Sequence, residues 1–364
     1  MPHFLSTLKP DNCSRKVLNK QFIIPALKRI IISRTDNLGD VILTLPMAGI
    51  LKSLFHEVEI LFLGKTYTQP VISSCLHVDR FINKNDLSVL SDCEQIAFFR
   101  DLDADCIIHV FPDREISYIA RKAGIPLRIG TSHRWYHFIN CNKLVNAGRK
   151  KSNLHEAQLN LKLLAPLGGK PVYLPEEIII NYGIRVDEML KDEILSLISG
   201  TKTNIILHPR SKGSAREWGL DNFSRLIHML PEEHFNIFVT GTGDEGEQIR
   251  HFLTEHSSRV NDLTGKLTLH ELISFIDRCD ALVAASTGVL HIAAALGIYS
   301  VGLYAPMRPI FPTRWGPLGK KANYLVLDRK CNDCRKTNDC ICIRSIKPED
   351  VAARLFAEFR NITD

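Results

Sequence analysis

The chain has 364 residues, 45% apolar and 24% charged, with a formal net charge of +6. This near-average balance excludes disordered and fibrous classes and leaves room for two domains with separate cores. No stretch reaches the roughly 18 apolar residues of a membrane span, and the first 27 residues lack a long apolar signal core. A cytoplasmic protein with a short N-terminal extension (1–27) is therefore expected.

After that extension, KRIIIS (28–33) reads as a buried strand, RTDNLGD as a polar turn, and VILTLPMAGILKSLF carries apolar residues at helical spacing. The strand pattern recurs in EILFLG (59–64), DCIIHVF (105–111), TNIILHP (203–209), NIFVTGTG (236–243), ALVAAS (281–286) and YSVGLYAP (299–306). Strands alternating with helical segments predict doubly wound parallel sheets. The run APLGGKPVYLP interrupts this alternation near the middle of the chain. It sets an expected boundary between domains at 28–170 and 171–346, with ligands in the cleft between them. The last segment, 347–364, opens with Pro348-Glu349-Asp350, good first-turn chemistry for a helix that packs back on either domain, the N-terminal one included.

Between Glu115 and Glu156 there is no acidic residue, while Arg121, Lys122, Arg128, Arg134, Lys143, Arg149, Lys150 and Lys151 fall there together with Trp135, Tyr136 and Phe138. A basic, aromatic stretch over 116–155 suits a surface that meets anionic headgroups, and a solvated loop is the alternative. The charge is local and carries no reading motif, so nucleic acid is not an expected partner. Six of the ten cysteines are scattered singly, which favours reduced thiols. The remaining cluster, Cys331, Cys334, Cys340 and Cys342, leaves structural zinc, reduced thiols and a redox-sensitive pair open.

Parallel strands lead into helix N-termini, where free N–H groups favour an anion. Ser286-Thr287-Gly288 stands at such a strand end, before a helix of small residues containing His291. It is either a diphosphate site or an ordinary helix cap. Arg210, Lys212 and Arg216 follow another strand and would complement a diphosphate there. Gly241 and Gly243 permit close approach of a nucleotide, while Asp244 and Glu245 suit the first turn of the next helix. In the first half, Asp36 or Asp40 could serve as a general base on a sugar hydroxyl, and Asp40 equally as a helix cap.

RTDNLGDVILTLP, HPRSKGSAREW, LTGKLTLHEL and STGVLHIAAALGIYSVGLYAP resemble, in this order, the motifs of glycosyltransferase family 9, which contains the lipopolysaccharide heptosyltransferases; HEAQLNLKLLAPLG and IKPEDV extend the likeness over about 28–360. The resemblance implies the GT-B fold, two Rossmann-like domains facing a cleft, and inverting transfer of heptose from ADP-heptose to the Kdo-containing inner core of lipopolysaccharide. It implies Asp40 as the base, with Arg34, Asn37, Gly39 and Arg128 on the acceptor side. On the donor side it implies Arg210, Ser211, Lys212, Arg216, Gly241, Thr264, Gly265, Ser286, Thr287, Gly288 and His291. No metal or other cofactor is implied, because basic side chains and helix dipoles take the cation's place. The implied partners are a nucleotide sugar and a glycolipid at the inner face of the inner membrane. Ser286, where many members are acidic, and Ala305-Pro306-Met307, where the family often reads GPT, leave another donor sugar open. A binding protein that kept the fold without catalysis is the remaining alternative.

Overall fold

The computed structural model describes residues 27–149, 152–187, 190–308, 310–329, 331 and 340–359. Lys150, Lys151 and Cys334 lie outside these, as does nearly all of the N-terminal extension.

Ile30, Ile31 and Ile32 form a run of stiff, β-branched side chains, all fully buried. Such a run cannot sit in a half-exposed sheet; it marks a strand covered on both faces. This is β1 (Arg29–Ser33), the centre of a parallel sheet with β2 (Glu59–Gly64), β3 (Arg80–Asn83), β4 (Cys106–His109), β5 (Leu127–Thr131) and β6 (Lys143–Val145), in the order β3-β2-β1-β4-β5-β6. A second parallel sheet contains β7 (Thr203–His208), β8 (Phe235–Val239), β9 (Val260–Asp262), β10 (Ala281–Ala285), β11 (Tyr299–Tyr304) and β12 (Ala322–Val326), in the order β12-β11-β10-β7-β8-β9. Counted within its own domain, each has the Rossmann strand order 3-2-1-4-5-6. The chain reverses direction across the sheet between β1 and β4 and between β7 and β10, and a crevice opens at each switch point outside the carboxyl ends of the strands. The two-domain GT-B architecture is thus present.

Alternate side chains of each strand face opposite ways, and this divides the core. Ile31, Leu61 and Ile107 pack with Phe99, Ile116 and Ile119 on the outer face of the first sheet. Ile30, Ile32, Phe62 and Ile108 belong to a cluster that continues through Leu290 and Phe275 to Ile206, Phe238 and Leu282 of the second sheet. One apolar layer therefore runs through both domains. At 25 cal/mol per Å² of apolar area it resists separation of the halves more than a loose hinge would.

Two boundaries differ from expectation. The Pro/Gly run is no linker: Leu163, Leu164, Leu167, Tyr173 and Ile178 are buried in the shared core. Beyond it, Leu76 N–H donates to the Gly183 carbonyl at 2.8 Å and Arg185 N–H to the Ser74 carbonyl at 2.8 Å. The chain stays with the first domain through Arg185 and crosses before Thr203. Apolar side chains between the turn residues overrode the breaker signal.

The closing helix Pro348–Glu358 packs on the second domain and not on the N-terminal one. Its stripe of Val351, Ala352 and Leu355 completes the core beside helix Leu220–Met229, and Phe356 lies 5.8 Å from Phe235, ring centre to ring centre. Among the described residues no helix is long and apolar enough to cross a membrane.

Candidate active site

The loop after β1 enters the short helix Leu38–Ile42, whose first turn holds Asp40. Arg34 fills the base of that loop, 2% exposed. Its Nε donates to Asp36 Oδ1 at 2.7 Å, Nη1 donates to Asn160 Oδ1 at 3.2 Å, and Nη2 donates to Asp40 Oδ1. Tyr67 Oη donates to the Asp36 carbonyl at 2.6 Å and fixes the loop from above. Burial pushes the Asp40 carboxyl above its ordinary range against the pull of Arg34, and it pushes Asp36 up to about 6. Asp40 is a carboxylate held in place, facing the cleft, with its basicity raised by burial.

Behind Arg34 stands Glu156, 1% exposed. Its Oε1 accepts from Arg149 Nε at 2.7 Å, its Oε2 accepts from Arg314 Nε and Nη2 at 3.0 and 2.9 Å, and Arg34 Nη2 lies 3.7 Å away. Burial raises the Glu156 carboxyl, but Arg149, Arg34 and Arg314 outweigh it and hold it below the carboxylate range.

On the facing domain β10 ends in Ser286-Thr287-Gly288, and helix Gly288–Leu296 follows. Thr287 is the N-cap, yet its hydroxyl caps nothing: Oγ1 is buried and has no hydrogen-bond partner among the described residues. His291, 3% exposed, has no partner for Nδ1 among the described residues, and burial, with His155 adding, lowers its pKa to about 3. It is a neutral imidazole. The two helix starts nearly touch here, because a Cβ on Gly39 would meet His291 Cδ2 at 3.0 Å and one on Gly288 would meet Leu38 Cδ2 at 2.8 Å. Glycine at both positions is what lets Asp40 face the cap.

Between the domains lies a cavity of about 710 Å³, the size of a small-molecule site. Its wall gathers Asn37, Gly39 and Asp40 from the first domain and Ser211, Lys212, Gly241, Ser286, Thr287, Gly288 and His291 from the second. The other expected residues are not in this wall. Arg34 lies beneath it as the support of Asp40. Thr264 and Gly265 stand one layer behind, Gly265 N–H donating to the Gly241 carbonyl at 2.9 Å. Arg210 is turned to Glu217 and Gln248, each at 2.6 Å. Arg216 sits half-buried in the loop after β7 and is not among the residues of the wall. Arg128 belongs elsewhere: near the start of β5, its guanidinium donates to the Asn140 carbonyl at 2.8 Å and to the Ile125 carbonyl, so its role is to tie local backbone.

Tyr67, His208, Glu245, Arg314 and Trp315 also line the cavity. Tyr67 lies in the turn between β2 and the helix Gln69–Ser73, and Arg314 on the short helix Pro312–Trp315 after β11; no glycine, helix cap or charge cluster in the sequence marks either as a site residue. Glu245 was assigned a helix-start role, which it has: its Oε2 accepts from Thr242 N–H at 2.8 Å. The described Cys331, Cys340 and Cys342 are buried in the second domain's core, away from the cavity.

The arrangement is a half-buried carboxylate, a polar helix cap with an unused hydroxyl, and a cleft between two Rossmann-like domains. It can hold a diphosphate on one wall while a carboxylate on the other takes a proton. The sequence model of glycosyltransferase family 9 (heptosyltransferase) matches residues 101–342. A Haemophilus influenzae protein provisionally named a glycosyltransferase is 27% identical over 309 residues, 80% of this chain and 86% of its own. Among solved structures, the family 9 glycosyl transferase of Veillonella parvula superposes with a TM-score of 0.76 at 20% identity, over 92% of this chain and 98% of that one. The ADP-heptose lipopolysaccharide heptosyltransferase II of Escherichia coli gives 0.72 at 19% identity, over 93% and 100%. The fold, the facing walls and the family match lead to one conclusion: this chain belongs to glycosyltransferase family 9, the heptosyltransferase family, and is a glycosyltransferase enzyme.

Proposed function

We propose that the enzyme transfers heptose, with inversion, from ADP-heptose to the Kdo/heptose inner core of lipopolysaccharide. The observation that carries this reading is the unused, buried Thr287 hydroxyl at the start of a nine-residue helix, across the cavity from Asp40. A helix start with free N–H groups and a spare hydroxyl suits the donor diphosphate. Asp40 takes the proton of the acceptor hydroxyl as its oxygen attacks the anomeric carbon. The bond from that carbon to the β-phosphate oxygen breaks, and ADP leaves with the electron pair. In this reading Lys212 and the helix start stabilise the departing charge without a metal.

Ser286 and Ala305-Pro306-Met307 favour a second reading, a different sugar on the same chemistry. Thermal stabilisation by ADP, UDP, GDP and CDP with their sugars separates the two, since a ligand that binds only the folded state raises the melting temperature. A selective shift with ADP and ADP-heptose is expected. Preference for UDP or GDP would discard heptose, and no shift with any of them would favour a noncatalytic binding protein.

The proposal also puts the enzyme at the cytoplasmic face of the inner membrane. Trp135, Phe138 and Ile139 are more than half exposed, and the Arg114 guanidinium lies 5.0 Å from the Trp135 ring centre. Exposed aromatics flanked by Arg121, Lys122 and Arg134 match an anionic lipid surface. Arg149 is not part of this surface, because Glu156 and Asn160 hold it inward.

A further inference from the structure

Three arginines converge on Glu156, and they do not have equal freedom. Arg34 is spent on Asp36, Asp40 and Asn160. Arg149 places Nε on Glu156 and Nη2 on Asn160 at 3.0 Å, and it does not reach the cavity wall. Arg314 does reach the wall. It comes from the other domain, on the short helix Pro312–Trp315, 158 residues from Glu156 in sequence. Its Nε and Nη2 both donate to Glu156 Oε2, which fixes the plane of the guanidinium, and among the described residues Nη1 has no hydrogen-bond partner. The guanidinium also lies over Trp315, whose ring centre is 5.2 Å from the guanidinium carbon.

Glu156 cannot turn away to release this group, since its other oxygen is held by Arg149 and its side chain is sealed from solvent. The result is a guanidinium set rigidly in place, with one donor edge unused beside the cavity. Such a pre-oriented fork matches an oxyanion better than a flexible lysine does, and little side-chain freedom remains to be lost on binding. The bridge is not needed merely to latch the domains. His155 Nε2 meets the Gly316 carbonyl at 2.9 Å, and Arg308 Nη2 donates to Asn153 Oδ1 at 3.0 Å across the same seam.

We propose that Arg314 is a substrate-binding residue that reads an oxyanion of the bound substrate, the donor's diphosphate or an acid group on the acceptor, and that Glu156 positions it. This rests on the glycosyl-transfer reading above and assigns it a recognition residue outside the matched motifs.

The test measures binding of ADP and of adenosine by calorimetry, and KM for the donor and for a Kdo-bearing acceptor, in the wild type, Arg314→Met, Arg314→Lys, Glu156→Gln and the Arg314→Met/Glu156→Gln double variant. Arg314→Met is expected to weaken one anionic ligand about tenfold or more while leaving adenosine unchanged, the loss typical of a charged hydrogen bond. Arg314→Lys, which keeps charge but not the fork, should recover part of it. Glu156→Gln should weaken the same ligand less, and the double variant should be no worse than Arg314→Met alone, as a positioning role requires. A rise in the ADP dissociation constant assigns the diphosphate; unchanged ADP binding with a raised acceptor KM assigns the acceptor's acid group. Folded Arg314→Met or Arg314→Lys enzyme with every constant unchanged would overturn the assignment alone. Wild-type enzyme that binds no nucleoside diphosphate would overturn the functional reading and this assignment with it.

Discussion

Replacing Gly288 by alanine tests whether the two helix starts meet in the working enzyme as they do here. The added Cβ would lie 2.8 Å from Leu38 Cδ2 and 3.0 Å from both Leu38 Cγ and Cβ. Rotation of Leu38 can move its end but not its Cβ, so the helix Leu38–Ile42 must itself shift. Ordinary contact begins near 3.4 Å, which makes that shift on the order of half an ångström. Overpacking of this kind costs roughly 1–3 kcal/mol. Asp40 rides on the same helix, two residues beyond Leu38. If a 1 Å misplacement costs about a hundredfold in rate, half of it costs roughly tenfold. Gly288→Ala should therefore lower kcat about tenfold and reduce the melting temperature by a few degrees. Adding Leu38→Ala removes Cγ and Cδ2 but leaves Cβ, so it should restore part of the rate. Steady-state transfer and thermal melting read both effects. Gly288→Ala enzyme with wild-type turnover and melting would show that the domains do not approach this closely during catalysis.

Three further outcomes are expected. Because burial raises the Asp40 carboxyl against the pull of Arg34, the ionised base is lost as pH falls through a range above that of an ordinary aspartate; the acid limb of kcat/KM should be displaced upward from about 4, and a limb at about 4 would contradict the geometry. Arg128→Ala should lower the melting temperature through the lost backbone ties yet leave the specific activity of folded enzyme unchanged; a selective rise in acceptor KM would return Arg128 to the binding site. Trp135→Ser with Phe138→Ser should weaken binding to anionic vesicles in co-sedimentation without slowing transfer to a soluble acceptor, and equal vesicle binding would remove the patch from the membrane interface.

The parts legible in the sequence were those built within one strand, loop and helix. RIIIS followed by TDNLGD, and ALVAA followed by STG, state locally that a strand ends, a polar turn follows and a helix starts, so Asp40 and Thr287 could be found. What could not be read were pairings between distant segments. Glu156 looks like an ordinary first-turn acid until Arg314 arrives from the other domain. Arg128 looks like one more cation in a basic run until its carbonyl partners are seen. Likewise, the turn residues of APLGGKPVYLP mark bends correctly, but only the burial of Leu163, Leu164 and Tyr173 shows that the chain has not left its domain.

In the proposed reaction Asp40 is the base, across the cleft from a donor held by the second domain. Asp40→Asn enzyme, assayed for transfer and titrated with the nucleotide that stabilises the wild type, tests it most directly. Turnover should fall by at least about a thousandfold while nucleotide affinity stays within a few fold, since proton removal is lost and the donor wall is untouched. Near-normal turnover in Asp40→Asn would contradict it.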